Sequence, residues 1–287
     1  MDKLKDKYEY EHIIIDNASS DETVAVAKKL TKDSPNIKII VNTRNFGPVR
    51  SPYYGVVAAF GDAVVLIAAD LQDPPELIAE YVKKWEEGFD IVLPTKPRSE
   101  ESLAMQRVRK TYYKLINSIS DVPLENNATG AGLLDKKVVD ALRRIADPYP
   151  YFRGLICDLG FPRCTIDFIQ PRRKRGVSKA SLYCMLDQAL LAMTKHSKLP
   201  LRLMTFLGIA LGFLTFFASV LFFVLKILYW NSFSMGMAPL LIGGSFVASI
   251  QFFFLGILGE YVGMILTHVR NMPLVMERER INFTEKK

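Results

Sequence analysis

Apolar and polar segments alternate along the first 200 residues, and this alternation predicts an α/β domain. The predicted strands cover residues 8–15, 36–41, 63–70, 89–94 and 161–170. The predicted helices cover residues 22–33, 51–60, 74–87, 101–120 and 135–145. Pro52 is expected in the first turn of the second helix, where proline is tolerated. Strands and helices that alternate at this pace indicate βαβ units and a mainly parallel sheet.

Beyond residue 200 the pattern changes to two long uncharged runs, residues 205–225 and 231–259. Each run is long enough to cross the roughly 30 Å hydrocarbon layer as a helix, so the sequence predicts two transmembrane helices. The segment before them, residues 181–198, has apolar residues on one helical side and predicts an amphipathic interface helix. The predicted divisions are therefore 1–178, 179–200, 201–268 and 269–287, with the last a cytoplasmic tail.

The net charge of +7 could indicate a nucleic-acid partner, but the basic residues collect beside the two apolar runs. They are Lys195, Lys198 and Arg202 before the first run, and Arg270, Arg278 and Arg280 after the second. Positive residues favour the cytoplasmic side of a membrane, so both termini are expected there and nucleic acid is not expected as a partner. Residues 1–12 are charged and do not resemble a signal peptide.

The segment AADLQDPPE, residues 68–76, places carboxylates and an amide directly after an apolar run. Open α/β sheets bind ligands at the carboxyl ends of their strands. Asp70 and Asp73 are hard oxygen donors and Gln72 supplies an amide oxygen, which suits Mg²⁺ or Mn²⁺ carrying a diphosphate. Asp73 is also placed to cap a helix that has Pro74 at its first position and Glu76 three residues after the cap.

Seven motifs, in this order, carry a resemblance to a known family. They are IIIDNASSDET, TRNFG, ADLQDPPE, TGAGLLDKKVVDAL, YFRGLICDLGF, RRKRGVSK and GEYVG. The chain resembles family 2 glycosyltransferases of the GT-A type, specifically those that act on polyprenyl phosphates. This resemblance implies an α/β GT-A domain, the fold of nucleotide-diphospho-sugar transferases, followed by membrane helices.

The resemblance implies metal-assisted, inverting transfer of a hexose from a UDP- or GDP-sugar to a polyprenyl phosphate on the cytoplasmic membrane face. The implied nucleotide-binding residues are Asp16, Asn17, Asp21 and Asn45. The implied metal ligands are Asp70 and Gln72, with Asp70 also assigned to catalysis, and Asp73 is left as the helix cap. The implied phosphate or lipid-acceptor contacts are Lys110, Arg153, Arg173 and Lys179. A homo-oligomer is compatible with the resemblance, although no residue demands one.

Three features depart from the family pattern. The family's first strand and loop, of the type VVIPVYNE, has no counterpart in residues 1–8. Ala68 stands where the family motif DADLQ has aspartate, and Ala131 and Gly132 in TGAGLL depart from TGDFRL. Two hypotheses stay open: an active glycosyltransferase, or a catalytically impaired homologue that binds the lipid carrier as a scaffold subunit. A channel is disfavoured because the uncharged runs offer no ionisable residue at mid-depth.

The substitution Ala68→Asp tests whether the pocket is otherwise intact. The added carboxylate is expected to strengthen Mn²⁺-dependent nucleotide binding, measured by titrating UDP or GDP into the purified protein with Mn²⁺. No gain in affinity would mean that the pocket had already been disabled, either by the absence of the VVIPVYNE-type strand and loop or by the change from TGDFRL to TGAGLL.

Overall fold

The computed structural model describes residues 4, 6–96, 125, 128, 130, 132–169, 171, 190–195, 197–229 and 237–283. Within these ranges the strands are β1 His12–Asp16, β2 Ile37–Asn42, β3 Ala63–Leu66, β4 Ile91–Thr95, β5 Gly132–Asp135, β6 Arg163–Asp167 and β7 Glu277–Ile281. The helices are α1 Thr23–Asp33, α2 Gly47–Ala58, α3 Leu77–Glu86, α4 Lys136–Ile145, α5 Phe152–Asp158, α6 Leu199–Leu228 and α7 Met237–Arg270. The predicted α/β class, followed by two long apolar helices, is confirmed. The predicted helix 101–120 lies outside the described residues, as does most of the interface helix.

The described strands form two mixed sheets, with orders β1-β2-β7 and β3-β5-β4-β6. β1 pairs with β2 in parallel, as does β4 with β6, whereas β5 and β7 run antiparallel to their neighbours. The expectation of a mainly parallel sheet is corrected here. Parallel pairing follows from a helical crossover such as α1. β5 and β7 instead lie far along the chain from the strands that precede them.

The strand predicted to end at Asp70 ends four residues earlier, at Leu66. Ala68 and Ala69 are exposed small residues with little apolar surface to bury, and Leu71 adopts a left-handed conformation with φ of 57°. The acidic segment is therefore a turn rather than a strand end. Helix α2 also begins earlier than expected, at Gly47, so Pro52 lies inside the helix and Pro48 occupies its first turn.

The larger part of the core lies between α2, α4 and the second sheet. Tyr53 and Val56 of α2 and Val138 and Leu142 of α4 are almost completely buried and belong to one apolar cluster. The Tyr53 hydroxyl donates to the Leu142 carbonyl at 3.1 Å, which satisfies the polar end of that ring. This packing fixes the sheet whose strand ends carry the candidate site.

The strand β7 brings the tail after α7 back to the α/β domain. It pairs with the edge of β2, whose Ile39, Ile40 and Val41 are fully buried. Lys28 of α1 forms an ion pair with Glu279 at 2.6 Å, and the Tyr54 hydroxyl donates to Glu277 at 2.7 Å. The two ends of the chain are thereby joined in one sheet.

The helices α6 and α7 contain apolar spans of 27 and 25 residues, and no residue of these spans whose exposure is described is buried. Where they meet the domain, Asp147 forms an ion pair with Lys195 and lies 3.5 Å from the His268 ring. Burial lowers the pKa of the Lys195 ammonium, although Asp147 acts in the opposite direction. The Tyr261 hydroxyl donates to the Ser197 carbonyl at 2.8 Å, linking α7 to the start of α6. These contacts tie the domain to both helices.

The substitution Gly132→Ala is expected to destabilise the domain. Gly132 has φ of +131°, and a Cβ there would lie 2.2 Å from the Val92 carbonyl oxygen. The backbone strain alone costs about 1–3 kcal/mol, and the overlap adds to it.

Thermal unfolding of the purified protein checks this, with Gly88→Ala as the matched control. Gly88 also has positive φ, of +101°, but its Cβ would meet nothing within 4 Å. An equal loss of Tm in both variants would contradict the steric argument.

Candidate active site

The loops that follow β1 and β2 are joined by the side chains predicted to hold a nucleotide. Asp16 is buried at the end of β1, and its carboxylate accepts from the Ser19 backbone N–H at 3.0 Å. Asn45, in the loop after β2, accepts from the Asn17 amide at 2.8 Å and from the Gly47 N–H at 2.8 Å. The structure thus brings Asp16, Asn17 and Asn45 together at the carboxyl ends of β1 and β2, and their role toward a nucleotide stays a prediction.

Asn17 is the centre of this loop network. Its amide nitrogen donates to Asn45 and to the Gly47 carbonyl, and its oxygen accepts from Asn42 and from the Phe46 N–H. Four hydrogen bonds exhaust most of the capacity of an Asn side chain. Asn17 therefore shapes the two loops, and its role toward a nucleotide stays a prediction.

Asp21, which the resemblance assigns to nucleotide binding, lies just before α1. Its carboxylate accepts from the Thr23 backbone N–H at 3.1 Å. The residue that immediately precedes the helix is Glu22, whose side chain makes no capping hydrogen bond. Asp21 thus satisfies a first-turn donor, and its exposure leaves it accessible at the surface.

The acidic turn presents Asp70 and Gln72 half-buried between β3 and α3. Asp70 accepts from the Gln72 backbone N–H at 3.1 Å, a local turn typical of aspartate. The left-handed Leu71 lies between the two residues and lets the chain reverse there. The turn carries a carboxylate and an amide side chain two positions apart, and these are donor types that suit a hard divalent cation.

The assignment of Asp73 as a helix cap is wrong. α3 begins at Leu77, and its first-turn N–H groups bond to the carbonyls of Pro74, Pro75 and Glu76. Asp73 is instead 6% exposed, and its Oδ1 has no hydrogen-bond partner. Burial raises the pKa of the Asp73 carboxyl above its ordinary value, and the charge of Asp70 acts in the same direction.

Two cations act on Asp73 in the opposite direction. Lys96 and Arg153 each lower its pKa through their positive charges. Lys96 directly follows β4, and Arg153 lies in α5 against Gly130, where a Cβ would come within 3.0 Å of the Arg153 Nε. Lys96 was missed by the sequence analysis, although its position after an apolar strand could have revealed it. Carboxylates and cations therefore converge at the carboxyl ends of β3 and β4.

The donor set fits a divalent cation that also contacts phosphate. No group of three or more His, Cys, Asp or Glu side chains suited to a metal occurs in the described part of the chain. Mg²⁺ is usually held by only one or two carboxylates together with substrate phosphates, and the acidic turn meets that requirement. Three of the predicted phosphate contacts, Lys110, Arg173 and Lys179, lie outside the described residues.

Comparisons with known proteins show similarity to glycosyltransferases. Residues 2–143 match the model of glycosyl transferase family 2. An uncharacterized glycosyltransferase of Bacillus subtilis is 30% identical, in an alignment that covers 100% of this chain and 88% of that protein. An uncharacterized glycosyltransferase of Synechocystis is 33% identical, over 94% of this chain and 85% of its own length. A prophage-derived bactoprenol glucosyl transferase of Shigella flexneri is 30% identical over 93% of this chain and 86% of its own length. The resemblance found from the motifs is confirmed.

The substitution Asn17→Ala is expected to destabilise both loops, because it removes the acceptor of the Phe46 N–H and one of the two acceptors of the Asn42 amide, which keeps its bond to the Ser51 hydroxyl. The cost is about 1–3 kcal/mol, measured by thermal unfolding against the exposed Asn36→Ala as control. An unchanged Tm together with weaker UDP or GDP binding would instead make Asn17 a ligand contact.

Proposed function

Because this chain belongs to glycosyl transferase family 2, we propose that it transfers a hexose from a UDP- or GDP-sugar to a polyprenyl phosphate at the cytoplasmic membrane face. The protein is a glycosyltransferase; the donor, the acceptor and the metal are the proposed parts. The observation that carries the proposal is the convergence of Asp70 and Asp73 with Lys96 and Arg153 in a chain that also has two exposed apolar helices. The acceptor proposal is supported by the relatives named as bactoprenol glucosyl transferases.

The charges at the site suit departure of a nucleoside diphosphate. A lipid phosphate is already an anion, so it needs little activation by a general base. Negative charge develops on the leaving diphosphate, and the Arg153 fork is suited to bind its oxygens while Lys96 adds a point charge. Mg²⁺ or Mn²⁺, when bound by Asp70 and Gln72, would supply Lewis-acid stabilisation of the same charge. A single attack on the anomeric carbon inverts its configuration.

The remaining contacts are assigned by position. The edge formed by Asp16, Asn17 and Asn45 would receive the nucleoside, with Asp21 at its exposed side. Arg173, Lys179 and Lys110 would meet the diphosphate or the lipid phosphate. Their charges match these ligands, and the basic motif RRKRGVSK, which contains Arg173 and Lys179, lies close in sequence to the first apolar helix.

The membrane arrangement follows from the same proposal. The acceptor has a phosphate at the headgroup level and an apolar tail in the bilayer, so a catalytic domain anchored by membrane helices can reach it. β7 follows α7 yet pairs with β2 of the domain that precedes α6. This pairing supports an even number of crossings, with both ends of the helix pair on the side of the domain, and the flanking basic residues favour the cytoplasm.

The transfer assay tests the proposal. Purified protein with Mn²⁺, radiolabelled UDP- and GDP-sugars and polyprenyl phosphate is expected to give labelled lipid. Asp70→Asn should lower the rate about 10²–10³-fold, because it removes a preorganised charge from the site of leaving-group stabilisation.

The matched control is Asp62→Asn. Asp62 directly precedes β3, and its side chain is 83% exposed and lies 3.6 Å from the Lys136 ammonium. The rate of this variant should equal that of the unmodified protein. Lipid-phosphate binding without product from any donor would contradict the proposal and favour the scaffold hypothesis.

A further inference from the structure

The buried carboxylate of Asp73 lacks an adequate partner within the described chain. It is 6% exposed, its Oδ1 makes no hydrogen bond, and the backbone of Ala68 supplies the one hydrogen bond that acts on it. Leaving a buried acceptor unsatisfied costs about 1–3 kcal/mol, and more when it is charged. Such an atom in a folded protein calls for a ligand, an ion or a mechanistic role.

The surroundings of Asp73 specify the kind of ligand. Asp70 is close enough to act on it as a like charge, and Lys96 and Arg153 act on it as cations. Two carboxylates on one short turn repel each other unless a cation lies between them. The two basic side chains are suited to the phosphate oxygens that accompany a divalent ion. A cation bound to a diphosphate satisfies every group in this cluster.

A purely structural role for Asp73 does not account for the orphaned oxygen. The N–H groups in the first turn of α3 are bonded to backbone carbonyls, so this carboxylate is not needed as their acceptor. A favourable interaction with the helix dipole is open to an exposed carboxylate as well and does not require burial. The burial of the Asp73 carboxylate next to Asp70 is therefore the feature that a bound ligand would account for.

We infer that Asp73 is the second carboxylate ligand, with Asp70, of the divalent cation that carries the donor diphosphate. It takes the place of the carboxylate that the family motif has at position 68. The backbone of Ala68 contacts Asp73, so the carboxylate of residue 73 is held next to the backbone position from which the missing side chain would project. The inference rests on the proposed function for the nature of the ligand, and adds a residue to its metal site.

Metal binding to the full-length protein tests the inference without any sugar transfer. Mn²⁺ affinity is measured by electron paramagnetic resonance, with Mn²⁺ alone and with Mn²⁺ plus UDP or GDP. Asp73→Asn keeps an oxygen for the Ala68 backbone but removes the charge, and it should weaken Mn²⁺ binding by at least about tenfold. Glu76→Gln, an exposed carboxylate three residues on, is the matched control and should leave the affinity within about twofold.

A second variant separates ligand loss from misfolding. Ala68→Asp should restore Mn²⁺ binding to the Asp73→Asn protein. The increase in Mn²⁺ affinity that Ala68→Asp gives should be larger in the Asp73→Asn protein than in the unmodified protein. Such coupling shows that the two carboxylates serve the same ion. Additive effects of the two substitutions, or no rescue, would overturn the inference.

The outcomes also distinguish this inference from the proposed function. Asp73-dependent Mn²⁺ binding in a protein that makes no labelled lipid would support the metal site and reject the transfer. Unchanged Mn²⁺ binding in Asp73→Asn, with binding lost in Asp70→Asn, would reject Asp73 as a ligand. Unchanged binding in both variants would reject the site altogether.

Discussion

The strongest constraint on this molecule is the exposed apolar surface of α6 and α7. Their spans leave large side chains such as Phe206, Phe217 and Phe253 more than 60% exposed, an area that water does not tolerate. Hydrocarbon is the solvent that satisfies these helices, and their lengths match its thickness. The position of the α/β domain follows, because the ion pair of Asp147 with Lys195 and the strand β7 hold it against the ends of the helices that connect to it.

The candidate site shows how a domain can concentrate charge without losing its core. The apolar clusters lie behind the strands, whereas the acidic turn, Lys96 and Arg153 lie where β3 and β4 end. Burial of Asp73 is unfavourable by itself, and the two cations offset part of that cost. Glycine at position 130 allows Arg153 to approach the strand ends closely. The same few residues, Asp73, Lys96, Gly130 and Arg153, therefore determine both the packing and the charge of the site.

The elements with strong local patterns were predictable. α1, α3 and α4 follow from their alternation of apolar and polar positions, and the two apolar helices follow from the length of their uncharged runs. β1, β2 and β4 follow from short apolar runs bounded by turns. β5 and β7 were not predictable in this way. GLLD is a short run beside a glycine, and ERERI alternates charges with little apolar surface, so each becomes a strand only because a distant partner offers an edge.

The site was predictable in its chemistry but not in its detail. The residue types of Asp70 and Gln72 indicated a metal that carries a diphosphate, and the family resemblance implied the nucleotide role of Asp16; the structure places Asp70 and Gln72 in one turn. The role of Asp73 depended on burial and on the two cations near it, neither of which local sequence reports. A capping pattern is also a weak guide when the chain between the acidic residue and the helix is rich in proline.

The pairing of β7 with β2 also sets an order for biosynthesis. Lys28 and Glu279 are separated by 251 positions, and both membrane helices are translated between them. The ribosome therefore completes the buried edge of β2 last, after the hydrophobic segments have entered the bilayer. Until then the nascent domain carries an open strand edge, a state that is prone to wrong pairing. Maturation of the soluble domain is thus coupled to membrane insertion.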